Sequence, residues 1–150
     1  MHYVLCLIGL CMNLIASYSR TPHEMTWEEA EDWCVKNHKH GLVAPYKNNL
    51  PEITRFCASY CWVGLKRLIP HGSTWVNLEF TQTEIPSNPR DFPENWAETE
   101  IPSDQLVWAA HQPDDYGTGE DCVEIYANGN DRSKLNDDNC SERRYGICAL

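Results

Sequence analysis

The chain has 150 residues, a formal net charge of −10 and eight cysteines. That length suits one domain, and the composition excludes a collagen, a coiled coil or a wholly disordered chain. So acidic a surface repels phosphate backbones and anionic lipid, which argues against nucleic acid and membrane insertion; clustered carboxylates suit hard cations instead.

Met1 to Ser19 contains no Asp, Glu, Lys or Arg, and its apolar run Tyr3 to Leu10 is followed by a weaker one ending at Ala16. This outline predicts a secretory signal peptide over 1–19, with Ser17 and Ser19 spaced for cleavage before Tyr18 or Arg20. A membrane anchor is the competing reading, but a span needs roughly 20 apolar residues and this one is shorter and broken by Asn13. Residues 20–150 are then expected to be secreted and extracellular. They retain Cys34, Cys57, Cys61, Cys122, Cys140 and Cys148. An even number in an exported domain argues for disulfides, and the doubled CxxC of a zinc site is missing.

Thr26 followed by Glu29 is a capping box and predicts a helix start. Trp27, Ala30, Trp33, Cys34 and Val35 form its apolar stripe, Glu28, Glu31 and Asp32 are expected to face water, and Gly41 is placed to end it. His38 and His40 sit favourably against the helix dipole. A second helix is signalled by Asn49 as cap, Pro51 in the first turn and Glu52 after it, with Leu50, Ile53, Phe56, Cys57 and Tyr60 on its buried face. Cys57 and Cys61, four apart at its end, are expected to form a local bridge; the alternative is an intermolecular link that makes a dimer. Trp62-Val63-Gly64-Leu65, Cys122 to Tyr126 and Tyr145 to Cys148 read as strands. Between them Val76 to Leu106, with Pro86, Pro89, Pro93 and Pro102, reads as a long loop that Trp75, Trp96 and Trp108 would pack. Thr-Glu-Ile-Pro-Ser at 83–87 recurs at 99–103, and two short copies do not make a repeat architecture.

The chemistry is concentrated in Gln112, Asp114, Asp115, Glu120, Asp121, Asn136, Asp137 and Asp138, all oxygen donors on two stretches. Ca²⁺ takes six to eight oxygens from carboxylates, amide carbonyls and water. A bridge between Cys122 and Cys140 would pin the two stretches together. Taken singly such residues more often make a solvated turn, and the spacing from Asp114 or Asp115 is not that of an EF-hand.

The order of these residues resembles the C-type lectin-like domain over nearly all of 20–150. The matching elements are Trp27 to Cys34, Trp62-Val63-Gly64-Leu65, Trp108, Gln112-Pro113-Asp114, Glu120-Asp121-Cys122, Asn136-Asp137, Cys140 and Cys148. The resemblance implies an α+β fold with two helices flanking small antiparallel sheets and a long loop region. It implies bridges Cys34–Cys148 and Cys122–Cys140, a cis peptide before Pro113, and one calcium held by Gln112, Asp114, Glu120, Asn136 and Asp137. Two neighbouring sugar hydroxyls would bind the ion, each donating to a carboxylate and accepting from an amide. The Gln-Pro-Asp order, where mannose binders have Glu-Pro-Asn, implies galactose or N-acetylgalactosamine on glycoproteins or cell surfaces. Tyr116 could pack on the apolar face of galactose. Leu135 stands where the family usually has Trp and His111 where it often has Gly, and Asp115 with Asp121 are candidates for an auxiliary calcium. Relatives that bind ice or other proteins, as venom-type members do, supply the alternative function. No nucleophile-and-base or zinc-hydrolase motif occurs, so an enzyme is not expected. A single diol contact is weak, and a homo-oligomer would supply several copies.

Overall fold

The computed structural model describes residues 2–7, 10–15, 17–80, 96–117 and 119–150. Strands β1 (His2–Leu7) and β2 (Leu10–Ile15) pair with each other in a separate two-stranded sheet. The seven-stranded sheet comprises β3 (Tyr18–Arg20), β4 (Tyr60–Arg67), β5 (Trp75–Phe80), β6 (Trp96–Glu100), β7 (Cys122–Tyr126), β8 (Leu135–Asp138) and β9 (Tyr145–Ala149). The long strand β4 is its hub. Its first residues lie between β7 and a parallel β9, and Lys66 and Arg67 pair with β5. Helices α1 (Trp27–His38) and α2 (Leu50–Thr54) complete an α+β fold.

Helix α1 starts as its sequence dictates. Thr26 Oγ accepts from Glu29 N–H, and the Glu29 carboxylate accepts from Thr26 N–H at 2.9 Å. Trp27, Ala30, Cys34 and Val35 are buried, and the Trp27 indole donates to Val63 O. Gly64 is required on β4 because a Cβ there would meet the Leu42 carbonyl oxygen at 2.1 Å, while its N–H donates to Val43 O. Leu135, in the place of the larger tryptophan, is fully buried, which contributes roughly 1.5–3 kcal/mol.

Among the described residues three disulfides staple these parts. Cys34–Cys148 joins α1 to β9, Cys122–Cys140 joins β7 to the segment after β8, and Cys57–Cys61 is a local intrachain bridge. The first closes a separation of 114 residues, for which chain entropy predicts about 5 kcal/mol of stabilisation.

Four expectations are corrected. Glu31 does not face water: it is 3 % exposed, and its carboxylate accepts from Leu42 N–H at 2.6 Å. Gly41 does not end α1, because Lys39 takes the left-handed cap position at φ 63°; Gly41 is instead small to clear the Glu31 carboxylate. Helix α2 ends at Thr54, Asn49 uses its side chain to brace the turn before it rather than as a cap, and Tyr60 is exposed at the start of β4. Val76 to Leu106 is not all loop either, since β5 and β6 pair there from Val76 opposite Glu100 to Phe80 opposite Trp96. Val76, Leu78 and Phe80 alternate with Asn77 and Glu79 on β5, as a strand requires, and the prolines fall outside both strands. The first copy of the pentapeptide, at 83–87, lies outside the described residues, and the second runs from β6 into a 3-10 turn at Ser103–Gln105.

The buried Glu31 has a measurable consequence. Desolvation raises its pKa to about 8, only partly offset by the Leu42 N–H, so the folded state holds a proton that the unfolded chain releases near 4.5. Stability tied to this group is complete below pH 4.5 and is lost as pH rises toward 8. Glu31→Gln keeps an acceptor for Leu42 and should raise stability at pH 8 by on the order of 1–3 kcal/mol with little effect at pH 4. Urea unfolding at both pH values measures this; equal changes at the two would sink it.

Candidate metal centre

The centre is assembled by backbone pairing before any side chain acts. Leu135 N–H donates to Val107 O and Ala109 N–H to Leu135 O, both at 2.8 Å, so the segment before Gln112 is laid along the start of β8. The chain then turns through His111 at φ 65° and the cis Gln112–Pro113 peptide. Asp137, fully buried on β8, captures the incoming loop: its carboxylate accepts from Asp114 N–H at 3.0 Å and Asp115 N–H at 2.8 Å. Asp115 in turn accepts from Gly119 and Glu120 N–H, and the Glu120 carboxylate accepts from Tyr116 N–H at 3.0 Å.

The product is three carboxylates, Asp114, Glu120 and Asp137, each offering an oxygen within 4.8 Å of the others. Arg67 brings a positive charge to them, its guanidinium donating to Asp137 Oδ2 at 2.7 Å. Burial, the Asp137 and Asp114 charges and a proton shared with Asp114 raise the Glu120 pKa to about 7. Gln112 Oε1 is buried with no hydrogen-bond partner among the described residues, which leaves its desolvation uncompensated there. Clustered carboxylates and an orphaned amide oxygen are what a hard divalent ion satisfies, so the residues fit such an ion.

Of the expected residues, the structure brings together Asp114, Glu120 and Asp137. Asn136 is adjacent on β8, and its amide donates to the buried Glu124 at 3.1 Å. Glu124, raised in pKa mainly by burial, is held by Arg144, which also grips Asp138. Tyr116 is 80 % exposed. Beside the cluster is an open hollow of about 690 Å³, lined by Arg67, His71, Trp75, Trp108, Asp114 and Asp115 among others. The sequence reading missed Arg67, His71 and Arg144, basic residues that lie far from the acidic stretch in sequence or look like surface charge.

Fold and site together define a disulfide-stapled α+β module whose candidate metal centre joins the loop before β7 to strand β8. Residues 23–150 match the family described as Lectin C-type domain, and the chain belongs to that family. It is 28% identical over 138 residues to E-selectin of Sus scrofa and 28% over 135 residues to L-selectin of Bos taurus, alignments covering 88% and 87% of this chain. It spans only 24% and 30% of those relatives' lengths. In structure it is similar to the cow CD23 carbohydrate-recognition domain, with TM-score 0.64 at 21% identity over 99% of this chain and 97% of that one. A calcium-independent type II antifreeze protein gives TM-score 0.63 at 21% identity, covering 99% and 96%.

Proposed function

We propose that the protein is a secreted, Ca²⁺-dependent lectin for galactose or N-acetylgalactosamine on glycoproteins or cell surfaces. The observation that carries this reading is the convergence of the Asp114, Glu120 and Asp137 carboxylates, with a buried and unpartnered amide oxygen on Gln112, two residues before Asp114. With Asn136, these residues would hold the ion. Bound calcium supplies open coordination positions that two neighbouring hydroxyls can fill. The chain's own part is to read those hydroxyls: Asp114 and Glu120 accept their protons, the Gln112 and Asn136 amides donate to their oxygens, and the Glu120 and Asn136 side chains are oriented by their bonds to Tyr116 N–H and Glu124. Tyr116, exposed on the same loop, offers a ring for the apolar sugar face. The adjoining hollow leaves room for the remainder of a glycan.

Membership of a lectin family and likeness to the selectins and CD23 support the carbohydrate class; the galactose preference rests on the Gln112-Pro113-Asp114 order. Residues 1–19 are read as the signal peptide. Cleavage before Tyr18 rather than Arg20 would keep Tyr18 and Ser19, which pair with Ala149 and Cys148. No helix among the described residues is long and apolar enough to cross a membrane.

The oxidised protein should be retained on immobilised galactose in millimolar calcium and released by chelator or free galactose. Flow-through in calcium would refute the sugar reading. The likeness in fold to antifreeze proteins supports ice binding as a second reading, and thermal hysteresis that persists in chelator would favour it.

The pH dependence also follows from the site. In the absence of an ion Glu120 holds a proton up to about pH 7, so a cation must displace it. Calcium affinity should therefore fall as pH drops below about 7, approaching tenfold per unit, with proton release on binding. Calorimetry in buffers of different ionisation enthalpy checks this; affinity unchanged from pH 8 to pH 5 would contradict it.

A further inference from the structure

We propose that Arg67 is a built-in cation for the loop from Asp115 to Asp121, holding the position that an auxiliary metal ion would need, so that the chain takes up one divalent ion rather than two. The count of one rests on the main site holding calcium; the role of Arg67 does not.

Among the described residues, the loop offers an auxiliary ion the Asp115 and Asp121 carboxylates and the Glu120 carbonyl. In the structure each already faces a protein donor or charge. Arg67 Nε donates to Glu120 O at 3.0 Å and lies 3.5 Å from Asp121 Oδ1, and Arg67 N–H donates to Asp121 O at 2.8 Å. Asp115 Oδ1 is used by Gly119 and Glu120 N–H, and Asp115 Oδ2 lies 2.5 Å from His71 Nδ1. Asp121 Oδ1 is buried and accepts no hydrogen bond, so its charge is balanced only through space, and the nearby guanidinium is what balances it.

The remaining arms of the fork are equally committed. Nη2 donates to Asp137 Oδ2 at 2.7 Å, Nη1 to Gly72 O at 2.5 Å in the turn between β4 and β5, and the guanidinium carbon lies 4.3 Å from the centre of the Trp75 ring. One planar cation, 6 % exposed, thus joins the β4–β5 turn, the Glu120–Asp121 backbone and a main-site carboxylate. A divalent ion among the same oxygens would meet a fixed positive charge in a poorly screened place. Arg67 is a positioning residue, acting through Asp137 and Asp121.

Titration calorimetry of the full chain with calcium chloride should give one ion per chain, and two would overturn the proposal. In calcium-free buffer Arg67→Gln should lower the thermal midpoint by several degrees, because Asp121 and Asp137 lose their counter-charge. Adding Asp121→Asn to that variant should recover about half of the loss. A merely packing role for Arg67 on Trp75 predicts no such rescue, and its absence would overturn the proposal. Where Arg67→Gln does not fold, Arg67→Lys with and without Asp121→Asn carries the same comparison. No ion uptake at all would sink the calcium reading of the main site and leave the rescue to decide the role of Arg67.

Discussion

Alanine at Asp137 is expected to abolish calcium-dependent retention on galactose and to lower folding stability by about 3–5 kcal/mol. The two losses have separate causes. As one of three carboxylates in the cluster, Asp137 is a candidate ligand, and its removal leaves Asp114 and Glu120. As the fully buried acceptor of Asp114 N–H, Asp115 N–H and the Arg67 guanidinium, it also balances a charge that is almost wholly out of water. Truncation leaves that charge with Asp121, 3.5 Å away, as its remaining paired carboxylate among the described residues, and removes the acceptor that ties Asp114 N–H and Asp115 N–H to β8. Asp114→Ala is the informative partner, because Asp114 is exposed and its side chain anchors nothing in β8: it should lose calcium and sugar binding while unfolding near the wild-type urea midpoint. An Asp137→Ala protein as stable as Asp114→Ala would show that the buried pair carries no weight.

Local rules on these residues were readable where a short-range bond decides the structure. Thr26 and Glu29 close the predicted capping box, and β7 spans the predicted Cys122 to Tyr126. Three acid donors on either side of Cys122, Asp114 and Glu120 before it and Asp137 after it, are drawn together, and Cys122 is bonded to Cys140. What failed depended on tertiary partners. Helical periodicity put Glu31 on the wet face, but the chain folding back through Leu42 covers that face and gives the carboxylate a backbone donor. Four prolines suggested a continuous loop between Trp75 and Leu106, yet the sheet edge of β4 templates β5, and β5 templates β6. Arg67 left no signal: a basic residue ending an apolar strand looks like solvent-facing charge until the 121 and 137 segments arrive beside it from more than 50 positions away. Order along the chain thus pointed to the carboxylates that cluster, whereas the counter-charges beside them are set by the fold.

The paired exchange Gln112→Glu with Asp114→Asn should shift the galactose-to-mannose affinity ratio by at least about tenfold toward mannose, equal to about 1.4 kcal/mol. Each diol hydroxyl must donate to an acid and accept from an amide, so exchanging acid and amide across Pro113 reverses the direction in which the diol is read without changing the number of charges. The same exchange has a second effect that a simple contact picture would not contain. Gln112 Oε1 is buried and unpartnered, so a glutamate there moves a negative charge from the exposed position 114 to a place where only a bound cation can balance it. The exchanged protein should therefore be less stable than wild type in chelator and close to it in saturating calcium, because ligand binding to the native state restores what the buried charge costs. Competition for an immobilised glycan by galactose and mannose, with thermal unfolding in calcium and in chelator, measures both effects. A retained galactose preference would detach specificity from the order of residues 112 and 114, and calcium-independent stability would remove position 112 from the metal centre.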